Sequence, residues 1–364
     1  MRLYRHPGTW ILLLGFGFLF SCQSEQKSKD AGETAGVTKP QPKPPKGYEP
    51  AEAKLVTGEG ENWDGHFSPD GRKVLYLSKN RPKHKHSQVY EFDRVTLRHR
   101  RITFHDGENS GPRYDSSGKW ILYASTTDEI KENPAYIQKA LKELSSAKTE
   151  EKTVTSTSSA APWLELPYEI YRSSTNGNDI ERLTHTPSYD AEASYHPSLP
   201  TILFTSVRHG RPMLYMMNVD GSSQKLLSDS RFIEAEGQFH PGGKELVFVR
   251  YSSDMKQAQI VFKDTKTKEE KNLTLPTAVS WSPVWLPDGE HILFASNLDD
   301  PENFEIYAIK KDGSCLQRLT YSLGNDVQPA ISPDGKSVLF TSDRGGSRQL
   351  YLMDFKPPTT CPKS

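Results

Sequence analysis

Short apolar segments of about six residues, separated by turn sequences, recur through most of the chain. WILYAS is followed later by EIYRSS, and a comparable pair, SVLFTS and QLYLMD, stands near the C-terminus. These segments are rich in β-branched and aromatic residues, and Asp-Gly or Asn-Gly turns stand between many of them. The pattern predicts an all-β fold of short antiparallel strands.

The strand pattern repeats along the chain. A turn motif that begins with an aromatic or aliphatic residue, as in FSPDG, FHPGG and WLPDG, starts at residues 67, 114, 195, 239, 285 and 331. Each copy is followed by two apolar segments, and five copies close with a short fourth segment such as RRIT, ERLT or QRLT. A spacing of about 45 residues with four strands per repeat is typical of β-propeller blades. The sequence therefore predicts a six-bladed β-propeller over residues 51–356.

The sixth repeat lacks a fourth segment, and a matching segment stands at the other end of the chain. KLVT, residues 54–57, precedes the first repeat and has the fourth-strand pattern. We predict that it forms the outermost strand of blade six, beside Gln349–Asp354, because closing the ring removes two exposed sheet edges. Residues 357–364 would then form a C-terminal tail.

One interval between repeats is much longer than the others, which indicates an insertion in blade two over about residues 127–167. The segment PAYIQKALKELSS has apolar residues at helical spacing, so it predicts one amphipathic helix. The helix and Trp163 could pack on the propeller. Alternatively, the insertion could act as a lid or a partner-binding element, since long loops on rigid scaffolds often carry function.

The repeat also resembles a known family. The SPDG turn, the strand that ends in TS and the closing RLT resemble the TolB-type, WD-like propeller repeat, most clearly in TSDRGGSRQLYLMD and NGNDIERLTHTPSYDAEASYHP. The resemblance covers about residues 54–355 and implies a six-bladed propeller that binds proteins in the bacterial envelope. TolB carries an additional α/β domain ahead of its propeller, so this chain resembles a propeller-only relative.

The N-terminus has the pattern of a lipoprotein signal peptide. Arg2 and Arg5 precede the apolar segment WILLLGFGFLF, which is too short to span a bilayer, and Cys22 follows a small residue. We expect residues 1–21 to be removed and Cys22 to be lipidated. Residues 22–50 are polar and proline-rich, which predicts a disordered tether. The residue after Cys22 is Gln23 and not Asp, which resembles the default signal for sorting of Gram-negative lipoproteins to the outer membrane. We therefore expect the protein to be anchored in the outer membrane, facing the periplasm.

Charge and motif content limit the function further. The chain has 46 basic and 46 acidic residues, so composition does not indicate nucleic-acid binding. The sequence contains no GxSxG, HExxH, Walker or GxGxxG motif. We therefore expect a monomeric, non-enzymatic binding module for an envelope protein or peptide, without a cofactor. The alternative is a metal-dependent lyase or hydrolase of periplasmic saccharides, with His66 as a candidate ligand.

Acidic residues near the start of the first strand of several repeats are the candidate binding residues. They stand three or five positions before the residue that begins the turn motif, where inner strands approach the central channel of a propeller. The acidic members are Asp64, Asp190, Glu192, Glu234, Glu236 and Asp326. Such residues could instead organise the junctions between blades, and for Glu192 and Glu236 a cation or a basic partner is an equal possibility. We expect the binding face to carry these residues, the blade-two insertion and the basic loop Lys79–His86.

Two cysteines remain once Cys22 is lipidated. Cys315 stands in the turn before the fourth strand of blade five, and Cys361 follows blade six in the tail. An oxidising compartment favours disulfides, and six extended residues span roughly 20 Å, enough to cross between neighbouring blades. We predict a Cys315–Cys361 disulfide.

Overall fold

The computed structural model describes residues 42–46, 48–132 and 166–357. Within these residues, 24 strands form six four-stranded antiparallel sheets. One short helix, α1 (Thr127–Glu132), follows the second strand of blade two. The predicted all-β fold with six blades is confirmed, whereas the helix predicted within residues 134–146 lies outside the described residues.

The strands follow the order of the sequence repeats, after an initial strand β1 (Lys54–Leu55). Blade one contains β2 (Glu61–Phe67), β3 (Lys73–Lys79), β4 (Gln88–Asp93) and β5 (Arg98–Arg101). Blade two contains β6 (Asn109–Tyr114), β7 (Trp120–Ser125), β8 (Glu169–Ser174) and β9 (Glu181–Arg182). Blade three contains β10 (Asp190–Tyr195), β11 (Thr201–Ser206), β12 (Met213–Asn218) and β13 (Lys225–Leu226).

The remaining blades have the same organisation. Blade four contains β14 (Ile233–Phe239), β15 (Glu245–Tyr251), β16 (Ala258–Asp264) and β17 (Glu270–Asn272). Blade five contains β18 (Ser280–Trp285), β19 (His291–Ser296), β20 (Glu305–Lys310) and β21 (Gln317–Arg318). Blade six contains β22 (Asp326–Ile331), β23 (Ser337–Ser342) and β24 (Gln349–Asp354).

The ring closes through β1, as the sequence predicted. Strand β1 pairs antiparallel with β24, with Lys54 opposite Leu352 and Leu55 opposite Tyr351. The innermost strands β2, β6, β10, β14, β18 and β22 each contact the next one, and β22 contacts β2. The six inner strands therefore surround a central axis, and the sixth sheet is completed by the strand that comes first in the chain.

The core lies between neighbouring blades, because the middle strands of each blade are covered on both sides. All six residues of β19 are buried, and its Phe294 stacks on Tyr307 of β20 with ring centroids 5.7 Å apart. Strands buried on both faces need continuous apolar runs rather than alternation. This requirement explains why the second segment of every repeat is a run such as HILFAS or TILFTS.

A hydroxyl group fixes the fourth strand of every blade to the third. In each case the Ser or Thr that ends the fourth segment accepts a hydrogen bond from a backbone N–H of the third strand, at 2.8–3.0 Å. The pairs are Thr57 with Leu350, Thr103 with Val89, Thr184 with Ile170, Ser228 with Leu214, Thr274 with Ile260, and Thr320 with Ile306. The Thr or Ser that closes KLVT, RRIT, ERLT and the other fourth segments thus has a structural role.

Two faces of the propeller differ in what they carry. The pairing of Asp190 with Ser206 places the start of an inner strand beside the end of the second strand. The loops between second and third strands therefore share one face with the starts of the inner strands, and we call it the loop face. It includes the loop that joins β3 to β4, and α1. The opposite turn face carries the turns between first and second strands and between third and fourth strands.

Candidate binding site at the channel

A β-bulge interrupts the inner strand of every blade at the same place. The residue that begins each bulge has a backbone φ between 51° and 59°, in the left-handed region. These residues, which we call the channel ring, are Asp64, Gly111, Glu192, Glu236, Ser282 and Gln328. Bulges re-aim side chains and occur next to functional sites. The channel ring contains three of the six acids singled out in the sequence.

Side chains of the channel ring bind the backbone of the next blade. Glu192 Oε2 accepts a hydrogen bond from the N–H of Glu236 at 3.1 Å. Glu236 Oε2 in turn accepts one from the N–H of Ser282 at 2.8 Å, and Gln328 Oε1 accepts one from the N–H of Asp64 at 3.2 Å. A bulge leaves an amide outside the strand ladder, and an unsatisfied buried amide costs about 1–3 kcal/mol. These side chains therefore join blades at the channel.

Glu192 and Glu236 form an acidic pair that has no basic partner among the described side chains. Burial and the charge of Glu192 raise the pKa of Glu236 to about 8. Burial also raises the pKa of Glu192, and the charge of Asp64 adds to this effect. Tyr189 donates a hydrogen bond to Glu192 Oε1 at 3.0 Å, and Tyr251 donates one to Glu236 Oε1 at 3.4 Å. Because Glu236 keeps its proton near neutral pH, the pair carries less than its full charge.

The channel acid of blade one has a basic partner. Asp64 Oδ1 lies 2.9 Å from His66 Nε2 and 3.3 Å from Arg113 Nη1. Although burial opposes ionisation, Arg113 and His66 lower the pKa of Asp64 to about 2. Burial and the charge of Arg113 lower the pKa of His66 to about 4, against the effect of Asp64. Asp64 is therefore ionised and His66 neutral at physiological pH.

The other three predicted acids, which begin their inner strands, lie inside the blades. Each is buried, and an arginine of the same blade binds its carboxylate. The pairs are Asp190 with Arg208, Glu234 with Arg250, and Asp326 with Arg344. Each guanidinium also packs over aromatic rings, as in Arg208 over Tyr215 at 4.6 Å. These ion pairs thus connect the start of the inner strand to the end of the second strand on the loop face. Arg208 and Arg344 follow the second strands in TSVRHG and TSDRGG, and Arg250 is the next-to-last residue of one in FVRY. The sequence therefore contains a signal for this pairing.

The remaining predicted residues are partly outside the described chain. Cys22 and Cys361 are not among the described residues, and Cys315 is buried and disulfide-bonded. The Cys315–Cys361 pairing and the lipidation of Cys22 therefore stay predictions. Among the described side chains, no three His, Cys, Asp or Glu residues are placed to hold one metal ion. The described part of the chain also contains no helix with the length and apolar composition needed to cross a bilayer.

The fold and the repeat motifs agree with a family assignment. The family model described as the TolB beta propeller domain matches residues 165–296 and 238–360, which together cover more than half of the chain. The chain belongs to the TolB β-propeller domain family. The resemblance noted in its repeats is confirmed.

Individual relatives of this TolB-type propeller match over parts of their length. A TolB homologue from Chlorobium luteolum is 31% identical over 153 residues, which are 42% of this chain and 34% of the homologue. The chain thus spans about a third of that curated relative. The crystal structure of TolB from Acinetobacter baumannii has a TM-score of 0.57 at 22% identity, over 76% of this chain and 59% of that one. Oligogalacturonate lyase from Vibrio parahaemolyticus has a TM-score of 0.52 at 15% identity, over 83% and 80%. Both likenesses show the fold.

The acidic pair makes the stability of this TolB-type propeller depend on pH. In the unfolded chain Glu236 loses its proton near pH 4.5, whereas the folded state retains it to about pH 8. Between these values the folded state binds the extra proton, so the free energy of unfolding falls as pH rises. We expect Glu236→Gln, which stays neutral, to make this decrease shallower than in the wild type. Urea unfolding at pH 5, 6, 7 and 8 measures the slope.

The matched control for this pH experiment is Glu269→Gln, which removes an exposed carboxylate on the turn face. It should leave the wild-type slope unchanged. Equal slopes in the wild type and the Glu236→Gln variant would show that Glu236 does not retain its proton in the folded protein.

Proposed function

We propose that this TolB-type propeller is a lipid-anchored binding module of the bacterial envelope that captures a protein or peptide segment at its loop face. The anchor is inferred from the signal-peptide pattern and Cys22, and the envelope location from that pattern together with the TolB resemblance. The loop face is proposed as the binding face because the channel ring, α1 and the basic loop all belong to it.

The observation that supports capture at this face is its uneven charge. The acidic pair Glu192 and Glu236 lies at the channel in blades three and four, and no base in the described part of the chain pairs with it. Across the ring in blade one, Lys83 and Lys85 are exposed in the loop between β3 and β4. A segment with one basic and one acidic end would complement both regions, and such complementarity sets orientation and association rate.

A basic group entering the channel would also change the protonation of the acidic pair. Because burial and Glu192 hold the pKa of Glu236 near 8, an incoming lysine or arginine side chain would lower it and favour release of the proton. The oxygen atoms of Glu192 and Glu236 already accept hydrogen bonds from the blades, so their positions are fixed before a ligand arrives. Binding at this pair would then be coupled to proton release near neutral pH.

The test compares capture by matched variants of the full chain. A Glu192→Gln and Glu236→Gln double variant retains the size of both side chains and removes their charge. With detergent-solubilised envelope as the source of partners, we expect at least a tenfold loss of the protein that co-purifies most strongly with the wild type, quantified by mass spectrometry. A Glu269→Gln and Glu290→Gln double variant removes two carboxylates from the turn face and should retain it. Equal capture by both variants would place the binding site elsewhere.

A saccharide lyase is the alternative that the sequence leaves open, and it calls for a different measurement. His66 was its candidate metal ligand, and the Nε2 atom of His66 is hydrogen-bonded to Asp64 Oδ1, which also lies beside Arg113. The same chain, incubated with Mn²⁺ or Ca²⁺ and then with oligogalacturonate, separates the two functions. A lyase requires a saturable rise in melting temperature with the metal and the formation of unsaturated product, and a binding module gives neither.

A further inference from the structure

An arginine occupies the same position in the fourth segment of three blades. Arg101, Arg182 and Arg318 each stand two residues before the closing threonine, as RRIT, ERLT and QRLT show. In each blade the Nε–H donates to the carbonyl of that threonine, at 2.6, 3.0 and 2.8 Å respectively. The three guanidinium groups therefore start from the same geometry, and their surroundings can be compared directly.

In blade five, two carboxylates neutralise this arginine. Arg318 Nη2 lies 2.8 Å from Glu305, the first residue of the third strand. Arg318 Nη1 lies 3.1 Å from Asp299, three residues after the serine that ends the second apolar segment, HILFAS. Although burial opposes it, the charge of Glu305 raises the pKa of Arg318.

In blade two, the same two positions and Glu132 supply the partners of Arg182. Its Nη2 lies 3.2 Å from Glu169, and its Nη1 lies 3.9 Å from Asp128 and 3.3 Å from Glu132. The charge of Glu169 raises the pKa of Arg182 against the effect of burial. The sequence thus supplies two acidic partners, at the same two positions, in both blades.

Blade one has the arginine without the acids. The two positions that hold Glu and Asp in blades two and five hold Gln88 and Arg81 here. Gln88 uses its amide inside the blade, where Oε1 accepts a hydrogen bond from Thr103 at 2.9 Å and Nε2 donates one to the carbonyl of His105 at 3.1 Å. Burial lowers the pKa of Arg101, the opposite direction from Arg182 and Arg318. Among the described residues, no carboxylate lies within ion-pair distance of Arg101.

In blade one a histidine also replaces the carboxylate that contacts the hydroxyl of the third-strand tyrosine in blades two and five. In blades two and five the third-strand tyrosine donates its hydroxyl hydrogen to the acid, from Tyr171 to Asp128 at 2.7 Å and from Tyr307 to Asp299 at 2.8 Å. In blade one Tyr90 instead lies 2.9 Å from His84 Nε2. Blade one therefore lacks both negative charges that its own repeat pattern provides elsewhere.

The space beside Arg101 is an open cleft with further positive charge. The cleft has a volume of about 350 Å³ on the loop face, and Arg101, Lys83, His84, Lys85 and Asp106 are among the residues that line it. Lys83 and Lys85 are exposed and make no ion pair with a described residue. Among the described lining residues Asp106 is the one acid, and its charge acts on Arg101 from beyond ion-pair distance. Three cations thus face one acid in the cleft, in contrast to the neutralised arginines of blades two and five.

We propose that this blade-one cleft binds a phosphate group, either inorganic phosphate or a phosphate monoester, with Arg101, Lys83 and Lys85 as its ligands. A phosphate monoester carries a charge of about −1.5 to −2 near pH 7, close to that of the two carboxylates that blade one lacks. Its terminal oxygens can accept from both Nη atoms of an arginine and from lysines at the same time. The site shares Lys83 and Lys85 with the basic region of the proposed capture face, whereas Arg101 belongs to the cleft alone and the acidic pair to the channel alone. The Arg101 variant and the acidic-pair variants therefore test the two proposals separately.

The experiment titrates the full chain in detergent with each of three probes and measures the binding affinity by isothermal titration calorimetry. The probes are inorganic phosphate, glycerol 3-phosphate as a soluble form of a lipid headgroup, and succinate as a dicarboxylate. We expect saturable binding of one phosphate-containing probe per chain, weakened at least tenfold by Arg101→Gln and by a Lys83→Gln and Lys85→Gln double variant. Tighter binding of glycerol 3-phosphate than of inorganic phosphate would assign the source to a headgroup, and the reverse to a free ion.

Two matched controls separate a site from general charge attraction. Arg182→Gln changes the equivalent arginine of blade two, which already has its carboxylates, and should leave phosphate binding unchanged. A Lys266→Gln and Lys336→Gln double variant removes two exposed lysines from the turn face and should also bind as the wild type does. Equal weakening by all variants, tighter binding of succinate than of either phosphate probe, or no saturable binding would overturn the proposal.

Discussion

A chain that lacks residues 51–57 is expected to lose roughly 3–5 kcal/mol of its free energy of unfolding. The deletion removes β1 from blade six, including the hydrogen bond from the N–H of Val56 to the carbonyl of Leu350 at 2.8 Å. It also removes the hydroxyl of Thr57, which accepts from the N–H of Leu350 and donates to Gln349 Oε1 at 2.8 Å. Strand β24 would become an exposed edge, and Val56 would no longer cover the cluster that contains Leu350. Urea unfolding followed by far-ultraviolet circular dichroism measures the loss.

A substitution that retains the backbone separates pairing from side-chain effects in this experiment. The side chains of Lys54 and Leu55 are exposed, so a Lys54→Ala and Leu55→Ala double variant keeps the strand and should cost less than about 1 kcal/mol. The closure of the ring by β1 would be unimportant for stability if the deletion were as mild as the double substitution.

Replacing Asp326 by alanine is expected to destabilise the propeller by about 1–3 kcal/mol, because it removes a fully buried carboxylate and leaves Arg344 without its ion-pair partner. Asp326 is fully buried, and Arg344 binds its carboxylate while packing over Tyr351 at 4.9 Å and Phe340 at 5.2 Å. Thermal and urea unfolding of the variant measure the effect.

The partner substitution tests whether the loss comes from the unpaired charge. An Asp326→Leu and Arg344→Met double variant replaces both charges by apolar groups, and we expect it to be more stable than Asp326→Ala, as buried ion pairs often behave. Asp229→Ala, which breaks an ion pair with the exposed Arg231, is the surface control and should have a smaller effect. If Asp326→Ala and Asp229→Ala have the same effect, the buried pair does not stabilise the loop face.

The repeats alone predict most of the fold, because each blade repeats one set of local preferences. The aromatic residue, the Asp-Gly turn, the apolar run and the closing Ser or Thr recur at fixed spacing, and one incomplete repeat points to strand β1. The insertion in blade two does not repeat elsewhere in the chain, so no other repeat indicates its structure. Its helical spacing supports a helix, but does not indicate where that helix would lie.

The candidate site is less predictable from sequence, because two adjacent sets of acids have opposite surroundings. Asp190 and Glu192 are separated by one residue, and alternation along a strand would place both on the same side. The bulge at Glu192 breaks this relation. Asp190 precedes the bulge and binds Arg208, whereas the φ of 55° at Glu192 turns the strand and directs the Glu192 side chain elsewhere. No residue type marks these bulges, because Asp, Gly, Glu, Ser and Gln all begin one. The charge deficit of blade one, in contrast, can be found by aligning the repeats with one another.

The pairing of β1 with β24 also sets an order for the assembly of the protein. Lys54 is made early by the ribosome, whereas its neighbour Leu352 follows about 300 residues later, and at synthesis rates of 5–20 residues per second this delay lasts tens of seconds. Bringing the ends of so long a free chain together carries a loop-closure cost of roughly 5 kcal/mol beyond its constant part. Blades one to five, once folded, hold the two strands close and remove most of that cost. Blade six is therefore expected to form last. Until then, an incompletely synthesised chain exposes unpaired sheet edges at both ends of the open ring to chaperones and proteases.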